Sequence, residues 1–64
     1  MGDLDPGVQR LQKLRHDLAN PLSALLAETQ LLLLNESTLA PEAVRGLREI
    51  EGLAMRMRGM LKDL

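Results

Sequence analysis

The chain has no cysteine and no aromatic residue, a single histidine and three prolines. Without cysteine there is neither a disulfide framework nor a thiolate metal site. One histidine cannot build the ligand cluster that a bound metal requires. Without Phe, Tyr or Trp there are no stacking platforms of the kind that hold single-stranded nucleic acid. A surplus of one charge is missing too: eight Lys and Arg stand against nine Asp and Glu, for a net charge of −1. A binder of phosphate backbones carries a basic excess, so no nucleic-acid partner is expected. No apolar run approaches the roughly 20 residues of a membrane-spanning helix; "LLLL" at 31–34 is among the longest. Nor does a secretory n-region and h-region open the chain. The expectation is a soluble, cytoplasmic protein with no direct membrane insertion, whose parent protein could still be membrane-anchored.

What is present is leucine at helical spacing. β-branched residues are few and no stretch alternates with period two, which predicts an all-α fold. The first helix is expected over about 5–34, with Asp5 as N-cap and Pro6 at the first helical position. Steps of three and four join Leu4, Val8, Leu11, Arg15, Leu18, Leu22, Leu25, Thr29 and Leu32 into a heptad seam that is polar only at Arg15 and Thr29. Leu14, Leu26 and Leu33 flank it and widen the apolar face. A loop follows at 35–40, "NESTLA", with Asn35 ending the first helix and Ser37 or Thr38 capping the next.

The second helix is expected over about 41–63, with Pro41 in its first turn, where a missing N–H does no harm. Its seam is Ala43, Leu47, Ile50, Ala54, Met57, Leu61 and Leu64, flanked by Val44, Leu53 and Met60. In "MRMRGM" the methionines Met57 and Met60 read as core filling and Arg56 as outward-facing. Gly46, Gly52 and Gly59 each cost about 1 kcal/mol relative to alanine, so this helix is the softer one. They read as surface glycines; mobility or close approach of a partner is the alternative.

The whole chain, 1–64, is thus expected to form one antiparallel two-helix hairpin. A chain of 64 residues buries little of itself, and one hairpin cannot cover two broad apolar seams. Pairing of two hairpins into a homodimeric four-helix bundle is the predicted solution. The alternative is a hairpin packed on another domain.

The histidine does not belong to either seam. At about 100° per residue, Leu11, Leu18, Leu22 and Leu25 cluster within roughly 60° and His16 falls nearly opposite. Asn20 lies beside His16 one turn along, and Ser23 and Ala27 continue the stripe. Asp17 follows the histidine directly, and a carboxylate can fix an imidazole tautomer and stabilise its cation. Pro21 has no N–H for the carbonyl of Asp17, and its ring crowds that carbonyl, so a kink is expected just past the histidine.

The stretch His16 to Leu22, "HDLANPL", resembles the H box of sensor histidine kinases, and the hairpin plan resembles their dimerisation and histidine-phosphotransfer domain. The resemblance spans essentially the whole chain, although only these seven residues are specific. It implies that His16 accepts a phosphoryl group from ATP at Nε2. It implies that Asp17 accepts a hydrogen bond from Nδ1 as orienter or general base, that Asn20 positions a water for phosphatase activity, and that Pro21 kinks the helix. It implies a response-regulator receiver domain as partner, docked near Ser23, Ala24, Ala27 and Leu31, with Leu34 beside them. It also implies an ATP-binding catalytic domain carrying ATP and Mg. No cofactor is expected in this chain, which holds no phosphate-binding glycine loop. The chain is accordingly expected to be an excised domain, or a shuttle phosphorylated from elsewhere. A non-catalytic dimerisation hairpin with an idle His16 is the competing expectation.

Overall fold

The computed structural model describes residues 5–64. Its elements are helix α1 (Pro6–Leu33), a short 3-10 turn (Glu36–Thr38) and helix α2 (Pro41–Lys62). The helices pack antiparallel along a rod of 55 × 15 × 12 Å, so the all-α hairpin expected from the leucine pattern is the fold observed. No helix is long and apolar enough to cross a membrane among the described residues. Leu4, the first residue assigned to the heptad seam, lies outside them.

The helix starts follow from local chemistry. Asp5 is the N-cap of α1, and the Gly7 N–H donates to its Oδ2 at 3.1 Å. Pro6 takes the first helical position, where no donor is lost. The helix continues through Pro21 to Leu33. There the Leu34 N–H is shared between the carbonyls of Gln30 and Leu31, each 3.2 Å away, a bifurcation common at helix ends.

The start of α2 differs from expectation. Ala40, not Ser37 or Thr38, is its N-cap, with extended backbone and no side-chain cap. The Thr38 hydroxyl instead donates to the Asn35 carbonyl at 2.8 Å and tightens the 3-10 turn. Short hydroxyl side chains compete for local backbone groups in this way. Arg48 and Glu36, 2.6 Å apart, tie the turn to α2.

The core is small. Leu22, Leu26 and Ala54 are its buried hydrophobic residues, with Leu61 packed against them. Thr29 is buried among them, and its hydroxyl donates to the Leu25 carbonyl of its own helix at 2.8 Å. The Arg15 guanidinium donates to the Leu64 carbonyl at 3.2 Å. The two polar members of the α1 seam are therefore satisfied without a polar partner side chain.

The single seam read along each helix divides into two stripes. Arg15, Ala19, Leu22, Leu26, Thr29 and Leu33 face α2 and are buried or half-buried, as are Val44, Leu47, Ala54 and Leu61 facing α1. Val8, Leu11, Leu14, Leu18, Leu25 and Leu32 on α1, and Ile50, Leu53, Met57, Met60 and Leu64 toward and beyond the end of α2, stay exposed. Met57 and Met60 thus fill no core within the hairpin, and Ala43 is exposed as well. One hairpin uses only one of its two apolar directions, because each helix has a single neighbour.

Candidate functional site

His16 sits on the rim of the groove between the helices, on the side away from the exposed leucine stripe. Its side chain is 74 % exposed. The groove, about 410 Å³, is lined by Gln12, Arg15, His16, Ala19 and Ser23 of α1 and by Arg58, Leu61 and Lys62 of α2. Ala19 and Leu61 are half-buried apolar residues of its lining. Its walls carry three cations and no acid.

The two nitrogens of His16 have different surroundings. Nδ1 lies 3.6 Å from Asp17 Oδ1, an ion-pair distance slightly beyond a hydrogen bond. Asp17 also accepts from Lys13, whose Nζ is 2.7 Å from the other carboxylate oxygen. That bond, with a smaller contribution from His16, holds the Asp17 carboxyl below its ordinary range, and the same contact raises Lys13. Lys13 thus further favours the ionised form of Asp17 beside the imidazole. A carboxylate on the Nδ1 side favours the tautomer that leaves the Nε2 lone pair free.

The residues expected around His16 separate into two groups. Asp17 is at the ring, and Ser23 shares the groove. Asn20, Pro21, Ala24, Ala27 and Leu31 are all exposed on α1 outside the groove, Leu31 by 56 %. They form a surface continuous with Asn20, one turn beyond the histidine. Leu34 is 78 % exposed at the end of that surface.

Arg58 and Lys62 were not anticipated as site residues. They lie one turn apart on α2, and the antiparallel register that sets Arg15 against Leu64 and Gln30 against Glu51 brings them across from His16. Their spacing was visible in the sequence, but the register depends on how the 3-10 turn closes. Charge is segregated along the rod in the same sense. Arg10, Lys13, Arg15, Arg56, Arg58 and Lys62 outnumber Asp5, Asp17 and Asp63 in the half carrying His16, whereas Glu28, Glu36, Glu42, Glu49 and Glu51 outnumber Arg45 and Arg48 toward the turn.

Compared with known proteins, the chain matches no family model, and no curated protein or solved structure shows significant similarity. The functional reading is carried by the residues themselves: an exposed imidazole with a carboxylate on one nitrogen and a cationic groove beside it, on a helix that runs through a proline.

Proposed function

We propose that the chain is the phosphoacceptor and dimerisation hairpin of a sensor histidine kinase system, with His16 as the phosphorylated residue. The observation that carries this reading is the placement of "HDLANPL". The motif histidine is exposed on the first helix, its Nδ1 faces Asp17 and a basic groove lies beside it. In the proposed reaction the Nε2 lone pair attacks the γ-phosphorus of ATP. The N–P bond forms as the bond to the ADP oxygen breaks, and ADP leaves with that electron pair. The ring becomes cationic while keeping its Nδ1 proton, and the adjacent Asp17 carboxylate offsets that charge. The phosphoryl group then passes to an aspartate of a receiver domain, the N–P bond breaking as an acyl O–P bond forms. ATP and magnesium belong to a separate catalytic domain. Asn20, exposed one turn beyond His16, is assigned the orientation of a water that hydrolyses the receiver's phosphoaspartate. The exposed Ser23–Leu31 surface is assigned to receiver docking.

The same proposal includes a homodimer. The leucine stripe of α1 and the Ile50–Leu64 stripe of α2 lie side by side on one face of the rod. Between them is an apolar hollow of about 160 Å³ lined by Leu18, Leu22, Met57, Met60 and Leu61. A second hairpin pressed on this face closes a four-helix bundle and inserts its own side chains into that hollow, as knobs enter holes. His16 stays outside the bundle.

The test uses phosphoramidate as donor, followed by 31P NMR. The folded chain is expected to gain acid-labile phosphate on His16 about ten-fold or more faster than the isolated peptide HDLANPL, since preorganised stabilisation of the developing charge is worth at least that much. His16→Ala abolishes the label. Equal rates in chain and peptide would make His16 an idle surface imidazole and leave a dimerisation hairpin.

A further inference from the structure

The cations of the groove have no assigned task in the reaction as proposed. The side chains of Arg58 and Lys62 form no ion pair or hydrogen bond among the described residues. Both are exposed, so they are not held there by packing. Arg15 uses one donor on the Leu64 carbonyl and keeps the rest of its guanidinium fork. These three side chains and His16 line one groove in which no carboxylate is present. In a chain with more acids than bases, such a grouping leaves positive potential uncompensated at one place. Lys62 also offsets the carbonyl end of α2, where it sits in the last turn. Arg58, a turn earlier, has no such role.

We propose that Arg58 and Lys62, with Arg15, form a cradle for a tetrahedral phosphate anion in the groove beside His16, outside which Asp17 lies, and that they are positioning residues for the phosphoryl group carried on His16. The inference rests on His16 being a phosphoacceptor. The division of labour is electrostatic. Phosphorylation turns the imidazole into a cation with Nδ1–H on the Asp17 side and a dianionic phosphoryl on the Nε2 side. The acid stands by the developing positive charge and the two bases of α2 by the negative one. The forked guanidinium of Arg58 suits two phosphoryl oxygens, and Lys62 supplies a point charge. Because α2 contributes both cations, the phosphorylated site needs the closed hairpin and not the motif alone. Ser23, on the same groove, adds a hydroxyl donor within α1.

The experiment compares the wild type with Arg58→Gln/Lys62→Gln and with Arg58→Lys, all first shown to keep their helicity. Phosphoramidate labelling of His16 is expected to slow about three- to ten-fold in the double variant, the effect of losing two exposed ion pairs, and to recover in Arg58→Lys. In the phosphorylated proteins the 31P titration of the second phosphoryl ionisation is expected to move to higher pH when the cations are removed. A merely structural role would not move that midpoint. Pyrophosphate, added to the unphosphorylated chain, is expected to shift the amide signals of His16 and Ser23 in the wild type and not in the double variant. Unchanged labelling rate, midpoint and pyrophosphate response would overturn the cradle while leaving His16 as phosphoacceptor. Labelling of the wild type no faster than the peptide would overturn the phosphoacceptor assignment. The pyrophosphate shifts would then still decide whether the groove binds phosphate anions.

Discussion

Asp17 is shared between Lys13 and His16, and that sharing has measurable consequences. Lys13 contributes most to holding the Asp17 carboxyl low, so Lys13→Met is expected to move the carboxylate's NMR titration midpoint upward, toward the ordinary value near 3.9. An unmoved midpoint would remove Lys13 from the site. The sign for stability is fixed by the same shift. A depressed folded-state pKa stabilises the fold above the unfolded value, and the contribution fades as pH falls through the folded one. Acidification below about pH 4 should therefore cost the wild type helicity that Asp17→Asn does not lose, as read by circular dichroism. Asn20 makes a separate prediction. Asn20→Ala should lower dephosphorylation of a phosphorylated receiver domain while leaving His16 labelling largely intact, and equal loss of both would undo the assignment. The exposure of His16 was legible from the helical wheel alone, because solvent-facing residues are fixed by their angle to the leucines. The cradle was not legible, because Arg58 and Lys62 reach the groove through a register set by the turn.

Helix α2 is under less constraint than α1. A Cβ built at Gly52 or Gly59 meets nothing within 4 Å. Gly52→Ala and Gly59→Ala are each expected to stabilise the hairpin by up to about 1 kcal/mol, measured as a higher thermal midpoint. No gain at either position would argue that the backbone there is approached by something outside the hairpin. Leu26 marks the opposite extreme, as one of the few buried side chains. Leu26→Ala should cost about 2–5 kcal/mol, enough to unfold so small a core. Helix limits were readable because Asp5, Pro6 and Pro41 act through bonds within a few residues. The capping of α2 was misread for a similarly local reason: Thr38 donates its hydroxyl to the nearby Asn35 carbonyl, and Ala40 takes the cap position. The division of each seam into a covered and an uncovered stripe was hidden, since both obey the same three-and-four spacing.

The exposed apolar face of the whole rod is the surface on which the proposed homodimer rests. If two hairpins meet there, sedimentation should give twice the chain mass of 7.1 kDa, and Leu18→Glu or Leu25→Glu should convert the protein to a poorly folded monomer. A wild-type monomer with full helicity would remove the bundle from the proposal. His16 lies off this face, so dimerisation and labelling should respond to different substitutions.

The segregation of charge along the 55 Å axis has a kinetic consequence. With a net surplus of bases in the half carrying His16 and of acids toward the turn, the rod has an electric dipole that turns its His16 end toward any approaching anion. Encounters are biased before contact, and the bias should disappear as added salt shortens the Debye length to a few ångströms. An acidic partner should therefore associate with this hairpin at a rate that falls steeply with ionic strength, while its dissociation rate changes little.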